Sequence, residues 1–399
     1  MVAILIFLGT YLVLVIGRLP WSRVDRTGGC IIGASLMIFF GVLDVKQAVA
    51  AVDFDTIFLL FGMMIVVANL RLSGFFGAVA ERVVEHAHGA FVLLVAIVLV
   101  AGFFSAFFVN DTMCLVLTPL VLEVTRRLRR NALPYLLAVA MGANIGSVAT
   151  ITGNPQNMMI GSFSGIHYRA FAAALSPVAL AGLVLTVATI AVVYRREFRR
   201  QEKVVLEARP VRTNRALLWK SLAVSAGMIG FFFAGWPVPK VALMAGAVLL
   251  LTRSVKPEKI YREIDWSLLV LFIGLFIVVA GVETTTLPDR MFSLAQRFQL
   301  QRPSMLSAFA ALLSNLVSNV PAVLVFRPFI ARLSEPHRAW LVLAMSTTLA
   351  GNLTIMGSVA NLIVVQKARH EVQIGFWDYF KVGAPLTALS IAVGVILLR

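Results

Sequence analysis

Residues 144–157 read NIGSVATITGNPQN and sit where a membrane helix ought to continue but cannot. Pro155 removes a backbone donor, and Gly146 and Gly153 weaken helix on either side of it, so the helix must break here. The flanks, 135–141 and 158–160, are apolar. The break is therefore expected inside a bilayer, where bare backbone polar groups cost several kcal/mol each and survive only if they line a cavity. A second interrupted stretch, residues 351–361 (GNLTIMGSVAN), repeats the spelling: Thr150, Ile151, Gly153 and Asn157 match Thr354, Ile355, Gly357 and Asn361. Two interrupted apolar segments at corresponding places in two halves point to a transporter binding site.

The rest of the chain suits that setting. It is 60% hydrophobic and 14% charged over 399 residues, and several apolar runs approach the roughly 20 residues that a bilayer helix needs, so a polytopic, all-α membrane protein in contact with lipid is expected. The formal charge of +16 comes from basic clusters between apolar runs, as the positive-inside rule arranges them. No basic face interleaves with aromatic platforms, which argues against nucleic acid as a partner. Cys30 and Cys114 lie in apolar surroundings and read as buried thiols, and the five His show no metal-ligand spacing.

Taken in order, residues 2–17 and 29–43 are the first spans, and Arg18, Arg23 and Arg26 between them argue that the N-terminus lies outside. Residues 54–70 follow as a third span, and 74–88, with Glu81, Arg82 and Glu85, read as a surface helix. Residues 90–125 form two apolar arms around the polar tip Asn110, Asp111, Thr112. The second arm, 113–124, is short for a span and favours a re-entrant hairpin. The broken helix 134–162 crosses outward and 171–194 crosses back, closing a first repeat over 1–194. Residues 195–220 carry nine Lys or Arg against three Glu and make a basic cytoplasmic linker.

Residues 221–399 repeat the first half. Asp53, Phe54 and GMMIVVA (62–68) match Asp265, Trp266 and GLFIVVA (274–280), and Ser105, Asn110 and Pro119 match Ser314, Asn319 and Pro328. Self-similarity at half the chain length means duplication. An odd number of crossings before the second copy inverts it. Its hairpin (304–330, tip Ser318, Asn319, Val320) then faces outside, its broken helix (338–368) returns inward, and the C-terminus lies outside. Arg327, Arg332 and Arg338 would lie outside too, against the charge rule.

Both tips and both breaks are expected to meet near the midplane. A bound anion would find the half-helix N-termini near Asn157 and Asn361, aided by Asn110, Thr112, Ser318 and Asn319. Asp111 is the sharpest single residue, because intramembrane carboxylates are functional by default and its counterpart is Val320. It can hold a proton, ligate Na+ or be neutralised by substrate. The bland reading is an acid capping its own hairpin arm.

At residues 153–157 (GNPQN), 110–112, 318–321 (SNVP) and 351–361, the sequence resembles the ion transporter superfamily, within it the citrate-transporter-like and arsenical-pump membrane proteins and small bacterial anion permeases. The resemblance implies an inverted-repeat scaffold of about eleven spans with two re-entrant hairpins and two broken helices, substrate between the tips, and alternating access. It also implies a bacterial inner-membrane location. Homodimers are common among the divalent-anion relatives, and the arsenical-pump branch uses a proton or sodium gradient, sometimes with a separate ATPase. The chain has no Walker loop of its own. No cofactor is implied beyond H+ or Na+ as the coupling ion.

Carried over by motif, substrate-binding positions fall on Asn110, Thr112, Asn154, Gln156, Asn157, Ser318, Asn319, Gly357, Ser358 and Asn361, and ion-coupling positions on Ser105, Asn110, Asp111, Gly153, Ser314 and Asn319. The Ser-Asn-Thr triplet of the dicarboxylate branch is complete at neither tip. Asn154 and Gln156 replace Thr and Pro in that branch's Gly-Thr-Pro-Pro-Asn turn, and Asp111 looks more like the arsenical-pump and sodium-proton antiporter branch. Two readings follow: a secondary transporter of a small anion, or a Na+/H+ antiporter working at Asp111 without one. A membrane enzyme would need a second acid at the depth of Asp111, or a nucleophile with a base, and Asp55 is near an interface.

Overall fold

The computed structural model describes residues 1–17, 23–86, 89–199, 213–251, 255–333 and 335–399. Arg18, residues 87–88 of the expected surface helix and half of the basic linker (200–212) lie outside the described residues. The described chain is helical. The first half contains α1 (Val2–Ile16), α2 (Arg26–Phe39), α3 (Val45–Ala51), α4 (Phe54–Leu72), α5 (Phe75–His86), α6 (Ala90–Phe107), α7 (Asn110–Arg127), α8 (Ala132–Ser147), α9 (Pro155–Ser164), α10 (Tyr168–Val193) and α11 (Arg195–Phe198). The second half contains α12 (Arg215–Phe233), α13 (Val238–Leu250), α14 (Pro257–Tyr261), α15 (Trp266–Glu283), α16 (Leu287–Arg297), α17 (Pro303–Val317), α18 (Asn319–Ile330), α19 (Pro336–Ala350), α20 (Val359–Ala368) and α21 (Phe376–Leu397). α12 already starts inside the stretch read as linker.

Six helices, α4, α6, α10, α12, α15 and α21, are long and apolar enough to cross a membrane, and α1, α2 and α13 are shorter apolar helices. The outward faces of α1 (Leu5, Leu8, Leu12) and α10 (Leu180, Val184, Val192) are exposed and apolar, a perimeter that suits lipid rather than water. The polar residues 110–112, expected as the tip between the two arms, form the first turn of α7, which extends that arm beyond the expected dozen residues. A helix's first turn carries orphan N–H groups, so polar side chains are at home there.

The helices pack as two groups. α1, α2, α4, α12, α13 and α15 form one, in which α2 lies against α15 and α4 against α13, each pairing crossing between the halves. The other gathers α6 to α10 with α17 to α21, with α7 against α20 and α18 against α9. Gly62 and Gly274, the matched glycines of the repeated heptapeptides, allow the crossed pairings. A Cβ at Gly62 would sit 2.5 Å from the Ala242 backbone of α13, and one at Gly274 would sit 2.9 Å from the Cys30 backbone of α2.

Contacts between helix ends define two ends of the bundle. At one, Arg71 of α4 pairs with Glu263 just before α15, Arg127 at the foot of α7 pairs with Glu81 of α5 at 2.6 Å, and Tyr194 after α10 donates to the Asp378 carbonyl of α21 at 3.3 Å. At the other, Ser162 of α9 donates to Asp53 before α4 at 3.0 Å, and Arg332 after α18 pairs with Asp289 of α16 at 2.7 Å. Arg338 of α19 donates there to the Leu398 carbonyl at 2.7 Å. Helices α4 and α21 therefore run the full length. The foot of α7 with α5 lies at the opposite end from the foot of α18 with α16. The three arginines that oppose the charge rule are engaged: Arg327 lies over the Phe163 ring at 4.4 Å, and Arg332 and Arg338 make the contacts just described.

Gly62→Ala is expected to lower stability by roughly 1–3 kcal/mol, because rigid backbone stands where the methyl must go. Gly227→Ala in α12, where nothing lies within 4 Å, leaves stability unchanged or slightly raised. Thermal unfolding in detergent micelles checks the pair, and equal midpoints contradict the crossed packing.

Candidate functional site

The two breaks are built alike. Helix α8 ends at Ser147 and α19 at Ala350; a short 3-10 turn follows each (Ile151–Gly153, Ile355–Gly357), and α9 and α20 then resume. Carbonyls left free at the end of each first half-helix are taken by matched asparagines. Asn157 Nδ2 donates to the Ser147 and Thr150 carbonyls, both at 3.0 Å. Asn361 Nδ2 donates to the Gly351 carbonyl at 2.7 Å and the Thr354 carbonyl at 3.1 Å. Both side chains are fully buried, so the structure gives these two amides to holding the breaks open.

The restarts differ. At α9, Pro155 takes the first helical position and the Asn154 side chain accepts the Asn157 N–H at 2.8 Å, so a Pro at N1 and an Asx cap terminate the break chemically. At α20, Ser358 makes no such cap, and its hydroxyl donates instead to Asn144 Oδ1 at 3.1 Å. The start of α20 is met from across the bundle: the carboxylate of Asp111 lies beside the backbone N–H of Ala360. Helix α7 itself has no side-chain cap. Asp111 thus serves the positive end of another helix, where an anion is favoured.

Asn144, one turn before the first break, is the hub. Asn110 Nδ2 donates to its Oδ1 at 2.9 Å, and its Nδ2 donates to the Oδ1 atoms of Asn352 and Asn361, each at 2.9 Å. Thr348 is a second meeting point. Its hydroxyl accepts from Asn154 Nδ2 at 3.2 Å and from Gln156 Nε2 at 3.1 Å. With the Asn319 amide turned so that nitrogen faces the Thr347 and Gly357 carbonyls, both at 3.2 Å, its oxygen accepts from Gln156 Nε2 at 3.1 Å. Both halves are joined through these buried amides.

The tips are strained in the same way. Val109 (φ 50°) and Ser318 (φ 80°), at matched positions, hold backbone that side-chain-bearing residues rarely adopt, and such strain gathers where function over-determines geometry. The tips differ in satisfaction. Ser314 Oγ lies 2.5 Å from the Asn319 side chain and donates to the Thr347 carbonyl at 3.2 Å. In the first half the matched oxygens, Ser105 Oγ and Asn110 Oδ1, are buried with no partner.

A cavity of about 70 Å³ lies between tips and breaks. Asn110 and Asp111 of one tip, Ser318, Asn319 and Val320 of the other, and Pro155, Gln156 and Ser358 at the restarts all line it, with Leu268 and Phe272 of α15 and Arg26 of α2 closing its side. Thr112, Asn154, Asn157, Gly357 and Asn361 are not among its lining residues; Ser105, Gly153 and Ser314 lie buried behind it. Sequence reasoning missed Asn144, Asn352, Thr347 and Thr348, which are polar residues scattered in or beside apolar runs, and it took Arg26 as a mark of orientation. Among the described residues no group of His, Cys, Asp and Glu is arranged to hold a metal.

Comparison with known proteins places this site in context. The family model described as citrate transporter matches residues 11–348. The silicon efflux transporter LSI3 of Oryza sativa subsp. japonica is 30% identical over 96% of this chain and 94% of its own. The putative transporter arsB of Dictyostelium discoideum is 24% identical over 93% of this chain and 87% of its own. The solved YdaH transporter of Alcanivorax borkumensis superposes over 100% of this chain and 98% of its own with a TM-score of 0.63 at 14% identity, which is a likeness of fold.

Asn144→Ala leaves four buried polar groups short of a partner and is expected to cost roughly 2–4 kcal/mol. Unfolding midpoints in micelles check this, and a loss no larger than that of a surface substitution contradicts the hub.

Proposed function

The chain belongs to the citrate transporter family, and we propose that it is a secondary active transporter carrying a small anion across a bacterial inner membrane by alternating access, coupled to H+ or Na+. The observation that carries this reading is the cavity at which both tips and both helix restarts converge. Its amides, hydroxyl and helix ends are the groups that bind oxyanions, and its carboxylate is a group on which a coupling proton or cation can sit.

Size narrows the substrate. A single water needs a cavity of about 10–15 Å³, so one of about 70 Å³ has room for more than one water and suits a small oxyanion or arsenite-like species. An organic carboxylate as large as citrate would require it to widen. The rice relative's name, silicon efflux transporter, fits that size class.

For coupling, Ser105 Oγ and Asn110 Oδ1, buried and without partners, are oxygen ligands for Na+, with the Gly153 backbone as a further candidate. Asp111 is the place for H+. A proton there would cancel the charge it holds at the start of α20 and release that helix end to the substrate. A second reading, Na+/H+ antiport without an anion, draws on Asp111 being the one acid lining the cavity among the described residues.

We assign the two halves as inverted repeats with re-entrant hairpins α6–α7 and α17–α18, which the opposite placement of their feet supports. The end of the bundle that carries Arg71, Arg127, Arg130 and Arg195 is taken as cytoplasmic, with both termini outside.

Asp111→Asn is expected to insert and fold, yet to reduce gradient-driven uptake in proteoliposomes to background. Normal gradient-dependent uptake by that variant removes Asp111 from the mechanism. Na+-driven pH changes with no anion present would favour the antiporter.

A further inference from the structure

Arg26 is the one cation lining the cavity among the described residues, and neither the motifs nor the repeat assigns it a role. It is half-buried and makes no ion pair among the described residues. The acids nearest it in the fold are committed elsewhere. Asp25 accepts the Gly28 N–H of α2 at 2.9 Å, Asp265 accepts the Leu268 N–H of α15 at 3.0 Å, and Asp111 lies beside the Ala360 backbone at the start of α20. Arg26 also breaks a local rule. It is the first residue of α2, the positive end of a helix, where a cation is disfavoured. An arginine that only marks membrane orientation would extend its head toward lipid headgroups, whereas Arg26 lines the chamber.

Its element gives it a further property. Helix α2 packs on α1 and α15, in the group that does not carry the tips, while Asp111, Gln156, Ser318 and Ser358 belong to the other group. A charge fixed on one group meets a ligand carried by the other only when the two are in one relative position. Arg26 also lies at the start of α2, alongside the start of α15, where Thr27 donates to the Ser267 carbonyl at 3.3 Å. That is the end of the bundle where Arg71 meets Glu263.

We propose that Arg26 is the charge-reading residue of the site: its guanidinium takes an oxygen of an anionic substrate while the chamber opens toward the Arg71–Glu263 end, and it is left behind when the tips move. This rests on the transport reading above and adds to it a specificity determinant outside the duplicated motifs. Because the Arg26 guanidinium carries a permanent positive charge, it favours an ionised oxyanion over a neutral hydroxide of equal size. It also makes affinity depend on the side from which the site is loaded, since a ligand shifts a two-state protein toward whichever state offers it the extra contact.

The test uses the full chain in micelles and reads the unfolding midpoint against ligand concentration. Arsenate and phosphate are the charged probes; arsenous acid and silicic acid are neutral at pH 7. Arg26→Gln is expected to raise the half-saturating concentration of a charged probe by about tenfold or more, with neutral probes within about twofold and partial recovery in Arg26→Lys. In the unsubstituted chain, phenylglyoxal modification of Arg26, followed by mass spectrometry, is expected to fall when the anion saturates, a readout that requires no variant to fold. A charged probe that stabilises wild type and Arg26→Gln equally, or undiminished modification at saturation, overturns the role of Arg26 and leaves the transport reading standing. Stabilisation of wild type by neutral probes alone overturns it as well. If no probe stabilises wild type, the anion reading of the cavity falls together with it.

Discussion

Everything in the site depends on satisfying backbone polar groups where a helix stops in the middle of an apolar bundle. Each break frees carbonyls that no water in a bilayer core can serve, and one buried asparagine per break, Asn157 or Asn361, takes two of them. With those carbonyls closed off, the restarts of α9 and α20 face the chamber through Pro155, Gln156 and Ser358, beside the side chains of the two tips. The amide of Asn144 then ties one break to the other. Pre-ordered dipoles of this kind hold charge without waiting for solvent to reorganise.

The two halves share matched positions but differ in what occupies them. The matched tips share a left-handed residue but not a charge, since Asp111 stands where the other tip has Val320. One half-helix end is consequently served by the protein's own carboxylate, and the other carries Pro155 and Gln156 beside the cavity. The same imbalance recurs in the oxygens. Ser314 and Asn319 satisfy one another and their neighbours, while Ser105 Oγ and Asn110 Oδ1 wait for a partner. One side of the site is therefore filled and the other open.

The breaks, the tips and their pairing were legible in the sequence because Pro155, the glycines and the repeated Asn positions act through local backbone chemistry. The crossed packing of α2 on α15 and α4 on α13 was only half legible. Gly62 and Gly274 were seen as matched, yet nothing in their spacing names Ala242 and Cys30 as the backbones they admit. Asn144 and Asn352 lie inside the two interrupted stretches yet, like Thr348, were given no role, because their importance comes from partners some two hundred residues away. Arg26 was read as a topological charge, since sequence records that a cation lies near a membrane surface but not which way it turns. For Asp111 the residue was singled out and its partner was not, because the Ala360 N–H belongs to a helix in the other half.

The most direct test asks whether the two tips and the two restarts share one water-filled chamber. Single cysteines at Ser318, from the second tip, and at Gln156, from the first restart, can be challenged with a membrane-impermeant thiol reagent in sealed vesicles of each orientation; Cys30 and Cys114 are fully buried. Both positions are expected to react from the same side, the one carrying Arg71 and Arg127, while a cysteine at fully buried Val323 stays inert. Labelling from opposite sides, or no labelling at either position, would contradict the shared chamber.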